Sequence, residues 1–338
     1  MEQTPRNTVW LRVPMLKKIA LSIATLLVLA VSGFAGFVFL ARPLSRPPLS
    51  ITATASPERL ARGEYLAFTI GCLGCHSERD FTRYAGPAKA PFGAHGECFD
   101  KGVGVPGVVC APNLTSDRET GVGSWTDGEI LRAMREGVSR DGRPLFPLMP
   151  YEELRNLSDE DALAIVAFLR TLPPVSYKAP APKLNFPLPV VIRFIPKPLD
   201  GPVEAPPKTD TMAYGRYLTA TKSCVRCHTT ADSQMAPIPG REWAGDNEFR
   251  GPWGVVRSAN LTPHQSGLGE KTKENFIGLF RAFGNVEGEV PAGAQNTVMP
   301  WPLFNRMTDE DLGMIYDYLK AQKPVANTVD KFPKKPRG

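Results

Sequence analysis

Hydropathy divides the chain into one long apolar run and a series of shorter amphipathic ones. Ile19 to Ala41 is a stretch of 23 residues without a charge, bounded by Lys17, Lys18 and Arg42. As a helix rising about 1.5 Å per residue it would be roughly 34 Å long, enough to cross a hydrocarbon layer of about 30 Å. The run exceeds the apolar core of a cleaved signal, and no small-residue cleavage site follows it. It therefore predicts an uncleaved transmembrane anchor at 19–41, with removal as the alternative. Arg6, Arg12, Lys17 and Lys18 would hold a tail, 1–18, in the cytoplasm and leave the rest exported.

The amphipathic runs come in matching pairs. Ala162, Ile165, Val166 and Leu169 repeat as Leu312, Ile315, Tyr316 and Leu319, and each set is one apolar face at helical spacing. Ser158 and Thr308 stand where N-caps belong, with acidic residues in the first turn behind them. Thr126 with Glu129 reads as a capping box, and Thr272 opens the counterpart helix. Earlier in each copy come Gly63 and Tyr65 or Gly215 and Tyr217, then Asn113-Leu114-Thr115 or Asn260-Leu261-Thr262, then Met149-Pro150 or Met299-Pro300. An internal duplication in one order is strong evidence for two copies of one unit. The expected fold is all-α, with two tandem domains at 58–175 and 208–326 after a tether at 42–57. A proline-rich linker at 176–207 joins them and a basic tail, 327–338, ends the chain. Residues 173–207 hold 11 prolines. Within them Lys183 to Pro198 can hardly be helix, yet it is too apolar for a solvated linker, and an extended strap lying on the domains is expected.

Charge changes this picture little. The formal net charge is +6 over 338 residues, and the two ends alone, Arg6, Arg12, Lys17 and Lys18 against Glu2, and Lys331, Lys334, Lys335 and Arg337, account for more than all of it. No basic stripe with interleaved aromatics lies between them, so nucleic acid is excluded as the partner.

The chemistry is concentrated in a motif that occurs once per copy: Cys72, Cys75 and His76, then Cys224, Cys227 and His228. In CxxCH the two thiols form thioethers to a haem, and the histidine on the same turn reaches its iron. A zinc ribbon would need the two CxxC pairs far closer than the 149 residues from Cys75 to Cys224. Two covalent haem c groups are therefore expected, with His76 and His228 as proximal ligands. Met149 and Met299, in loops 73 and 71 residues after their histidines, are the expected distal ligands. The competing readings are core methionines, or a bis-histidine iron using His95 or His264. Met134 and Met314 sit at core spacing, Met307 resembles a staple before Thr308, and Met235 lies too close behind His228. The remaining pair, Cys98 and Cys110, falls in a stretch where Pro91 to Asn113 is 14 residues longer than Pro252 to Asn260. A disulfide stapling that insertion is one reading; a thiolate on iron is the other.

With these residues in view, the chain resembles class I cytochrome c, in which a glycine on the first helix admits an aromatic of the last, as Gly63 with Phe168 and Gly215 with Tyr318 would do. The first copy resembles a narrower group. Residues 111–137, LMPY at 148–151, 157–175 and Asn185-Phe186-Pro187 are similar to the cytochrome c subunits of membrane-bound periplasmic alcohol, aldehyde and gluconate dehydrogenases. Those subunits usually carry three haem domains, where this chain has two. The resemblance implies a dihaem electron carrier on the bacterial inner membrane with its haem domains in the periplasm. Its donor would be a dehydrogenase or quinol-oxidising complex, and its acceptor a cytochrome or terminal oxidase. The alternative is a dihaem enzyme such as a cytochrome c peroxidase or a sulfur-compound oxidoreductase.

Overall fold

The computed structural model describes residues 12–232, 236–291 and 293–334, so Arg6, Met235, Lys335 and Arg337 lie outside the described residues. The first helix, α1 (Arg12–Leu40), is long and apolar enough to cross a membrane, and between Met15 and Val38 none of it is buried against the protein. By length and composition it fits a membrane span or a signal sequence. The tether that follows does not stand free. Arg46 pairs with Glu136 at 2.8 Å, and the Ala53 amide donates to Asp127. A Cβ on Gly128 would overlap the Leu49 carbonyl, so the extended chain runs against the helix Asp127–Glu136 that carries Asp127, Gly128 and Glu136. The expected spacer is thus a docked strand of chain, held because its arginine and amides find partners there.

The remaining helices come in two matching series. The first is α2 (Pro57–Thr69), α3 (Cys72–Cys75), α4 (Asp127–Glu136), α5 (Tyr151–Leu154) and α6 (Asp159–Leu169). After α7 (Leu188–Val191) come α8 (Thr211–Thr221), α9 (Cys224–His228), α10 (Lys273–Gly284), α11 (Trp301–Phe304) and α12 (Asp309–Lys320). The expected caps are present. Thr126 and Glu129 exchange both bonds of a capping box, Thr272 does the same with Asn275, and Ser158 and Thr308 accept from the amides of Asp161 and Asp311.

In each series the first helix crosses the last at a glycine. A Cβ on Gly63 would overlap the Ala164 carbonyl oxygen and lie 2.8 Å from Phe168 Cβ; on Gly215 it would overlap the Met314 carbonyl and lie 2.9 Å from Tyr318 Cβ. α2 against α6 and α8 against α12 are accordingly the closest helix pairs, and both contribute to one continuous apolar cluster that includes Leu66, Leu73, Ile165, Leu218, Leu312 and Leu319.

The all-α expectation needs correcting. Five short strands are present among the described residues. β1 (Cys98–Phe99) and β2 (Gly107–Cys110) pair antiparallel, β3 (Lys183–Leu184) joins β2, and β4 (Glu248–Gly251) forms a hairpin with β5 (Gly254–Arg257). Runs of two to four residues are too short for a period-two pattern to register in the sequence. The strap is corrected as well, because α7 and the 3-10 turn Ile192–Phe194 are helical. Proline at the start of α7 is compatible with that, since a first-turn amide has no intrahelical acceptor to lose.

Cys98 and Cys110 face each other across β1 and β2 and form a disulfide. The thiolate reading is therefore excluded in this structure. Closing a loop of this size stabilises a fold by about 3 kcal/mol in the chain-entropy account. Replacing both cysteines by serine should cost about 2–3 kcal/mol by denaturant titration, with amide exchange speeding up first in residues 98–110 and in the strand β3 that leans on them.

Candidate functional site

Each CxxCH begins where a long helix breaks. Gly71 at φ 93° turns the chain out of α2 into α3, and Ser223 at φ 56° does the same between α8 and α9. The single turn that follows brings cysteines three residues apart onto one face, with the histidine beside them. Cys72 and Cys224 are half-buried, whereas Cys75 and Cys227 keep an open surface. Desolvation still pushes the thiols up, Cys72 and Cys224 to about 12 and Cys75 to about 11.

The histidines are the best-defined donors. His76 and His228 are 8% and 9% exposed. His76 Nδ1 lies 2.7 Å from the Pro112 carbonyl oxygen and His228 Nδ1 lies 2.8 Å from that of Ala259. A carbonyl can only accept, so Nδ1 carries the proton and the lone pair is left on Nε2. That is the tautomer a metal ligand needs, with its ring orientation fixed from behind. Burial also lowers both imidazole pKa values, which favours the neutral, ligating form.

The carbonyls that do this are held by the repeated asparagine. Asn113, 2% exposed, donates from Nδ2 to the Val175 carbonyl at 2.7 Å and to Thr120 at 3.1 Å, while its Oδ1 accepts from the Thr115 amide. Asn260 makes the matching bonds to Val325, Ser266 and Thr262. Pro112 and Ala259 were not among the expected site residues. The signal for them was position, since each directly precedes the duplicated Asn-Leu-Thr.

Met149 and Met299 are half-buried and pack on the same apolar cluster as Cys72 and Cys224. Their turns are alike. Pro150 and Pro300 both have φ −81°, and the Tyr151 and Trp301 amides each donate to the methionine carbonyl at 2.8 Å. The other candidates are used differently. Met134, Met307 and Met314 are buried in the core, His95 is exposed against the Tyr177 ring, and His264 bonds Ser266 in its own loop. Among the described residues no cluster of three or more His, Cys, Asp or Glu could hold a bare metal ion. The donor set at each motif, two thiols and an oriented Nε2, suits haem c.

The two halves meet through equivalent positions used reciprocally. Gly74 of the first motif lies under Leu303 of α11, where a Cβ would be 2.5 Å from Leu303 Cδ1. At the equivalent place in the second motif Arg226 donates to Glu153 of α5 at 2.7 and 3.0 Å and to the Pro147 carbonyl at 2.6 Å. Tyr65 donates to Asp311, and Tyr217 donates to Asp161 at 2.7 Å. Each motif is therefore seated on the short helix that follows the other half's Met-Pro pair, an isologous contact made within one chain.

No family model matches the chain. Individual relatives do. It is 26% identical over 281 residues to the cytochrome c subunit of a quinone alcohol dehydrogenase from Gluconobacter oxydans, and 27% identical over 309 residues to the fructose dehydrogenase cytochrome subunit of Gluconobacter japonicus. These alignments cover 79% and 85% of this chain but 55% and 58% of the relatives, so the chain spans little more than half their length. A dihaem c-type cytochrome from Cereibacter sphaeroides is 26% identical over 310 residues, covering 88% of this chain and 96% of that protein. Relatives of the chain thus include cytochrome c subunits of dehydrogenases and a dihaem cytochrome.

Proposed function

We propose that this chain is a membrane-anchored dihaem c-type cytochrome of the bacterial inner membrane, with its haem domains in the periplasm. It would carry electrons from a dehydrogenase or quinol-oxidising complex to a respiratory acceptor, a cytochrome or terminal oxidase. The observation that carries the reading is the duplicated histidine geometry, in which Pro112 and Ala259 each fix Nδ1 and leave Nε2 for iron. Haem c, when bound, supplies a one-electron iron couple. Cys72, Cys75, Cys224 and Cys227 would hold the two groups covalently, His76 and His228 would be proximal ligands, and Met149 and Met299 distal ones. A neutral thioether favours the reduced iron and so a high potential.

The rest of the chain limits reorganisation and brings the sites together. Burial of both imidazoles excludes water from the proximal side. The reciprocal seating of each motif on the other half supports direct passage of electrons between them. The apolar, unburied α1 supports the anchor, and the dehydrogenase subunits among the relatives support a dehydrogenase as donor.

Met149→Ala and Met299→Ala in the haem-loaded full chain test the ligand set. Each should remove about half of the far-red thioether-to-ferric-iron band, and the double variant all of it. If one substitution leaves that band unchanged while the untreated protein shows a high-spin haem and turns over peroxide, the carrier gives way to the dihaem peroxidase. That enzyme requires an open iron position with acid–base groups beside it.

A further inference from the structure

We infer that the proline-rich strap is a second membrane contact, with the apolar side chains of residues 186–194 entering the lipid interface beside the end of α1. This rests on α1 being a membrane anchor. Although the strap is rich in large apolar residues, its largest remain exposed: Phe186 is 81% exposed and Phe194 53%. Val191 is exposed as well, as are Leu40 and Leu44 where α1 passes into the tether.

Two contacts put these groups at one level. Phe194 stacks on Phe37 near the end of α1, with ring centroids 6.2 Å apart and planes inclined by 28°. Arg193, next to it, donates from Nη1 to the carbonyls of Val38 and Ala41 at 3.1 and 3.3 Å. Carbonyls at a helix C-terminus lack intrahelical partners, and a cation there is favoured by the helix dipole. A guanidinium stays at the headgroup level and avoids the hydrocarbon centre, so Arg193 marks the plane of the interface. The apolar side chains around it then sit where aromatic and aliphatic groups of interfacial segments lie, with Arg42, Lys183 and Lys197 exposed among them.

Lipid is the occupant favoured over a protein partner because the patch continues the surface of α1, whose apolar window is not buried in the protein and meets the strap only at its end, through Phe37 and Val38. Nor can the strap swing away. Its start is paired into the sheet through Lys183 with Val108 and Leu184 with Gly107, and Ile192 and Pro196 are buried. Attachment at two points, α1 and the strap, would fix how the haem-bearing halves face the membrane, where a lone helix would leave them to rotate.

The test is carbene labelling of the haem-loaded full chain in phospholipid nanodiscs, with the photoactivatable group on the acyl chain and adducts mapped by peptide mass spectrometry. Adducts are expected on α1 and on 186–194, and not on Phe283 or Val286, which are also exposed and apolar but lie in the second half. Phe186→Glu with Phe194→Glu should lose the strap adducts and keep those on α1. Adducts on α1 with none on the strap of the unaltered chain would overturn the inference and leave the anchor intact. Adducts on neither would overturn the anchor itself, and equal labelling of Phe283 and Val286 would remove the claim of selective insertion.

Discussion

Gly63→Val is expected to destabilise the protein by about 3–5 kcal/mol, and Gly215→Val by a similar amount. At both sites the new Cβ would overlap a backbone carbonyl of the crossing helix, and carbonyls in the middle of α6 and α12 have no rotamer by which to yield. The helices must separate, and separation opens the apolar cluster shared by both series. Because α2 and α8 lead directly into the CxxCH turns, the haem-to-protein ratio of the purified chain should fall together with the denaturation midpoint. Gly278→Ala is the control. That glycine lies inside α10 with nothing near its missing Cβ, so the same kind of change should stabilise by about 0.5–1 kcal/mol. Equal behaviour of Gly63→Val and Gly278→Ala in denaturant would show that close crossing is not what Gly63 provides.

Asn113→Ala should cost about 2–4 kcal/mol and act on one site only. The side chain is buried and joins three segments: the Pro112 loop behind His76, the Thr120 turn, and Val175 after α6. Alanine leaves the Val175 carbonyl and the Thr115 amide without their partner in a buried place, and unpaired buried groups cost more than the bonds they made. With the Asn113 bond to Val175 lost, the loop that carries the Pro112 carbonyl no longer fixes Nδ1 of His76, so on the proposed ligand set the histidine of the first half should become exchangeable while His228 stays as it was. Asn260→Ala should give the mirror image. Potentiometric titration resolves this, because only one of two midpoints should broaden and fall in each variant. If both midpoints moved equally in either variant, Asn113 and Asn260 would be general structural residues rather than local supports of their own histidines.

Much of the fold was legible because its determinants are local. Caps at Thr126, Ser158, Thr272 and Thr308 depend on a side chain and an amide three residues on, and all four form as the residue order implies. The duplication also told which glycines to regard as crossing points, since only Gly63 and Gly215 recur at one distance before the cysteines. The sheets were not legible. The Cys98–Cys110 bridge joins β1 to β2 across the chain between them, and β3 pairs with β2 from more than 70 residues on. The docked tether was also hidden, because an arginine at position 46 gives no sign that its carboxylate partner is Glu136, 90 residues later.

The candidate site divides the same way. Sequence alone determined which residues are candidates for the chemistry, because thiols one turn apart and an adjacent imidazole are properties of a short stretch, and repetition doubled them. Only the tertiary structure decided the rest. It selected the Nδ1-protonated tautomer, since a carbonyl that accepts from His76 or His228 arrives from a loop 36 or 31 residues away. It seated each CxxCH turn on the opposite half, through Gly74 under Leu303 and Arg226 on Glu153, contacts that exist only once both halves are folded. The physical reason is range. The CxxCH spacing and helix capping are set by neighbours within a turn, whereas the orientation of an imidazole ring and the meeting of two motifs depend on groups that come together only on folding.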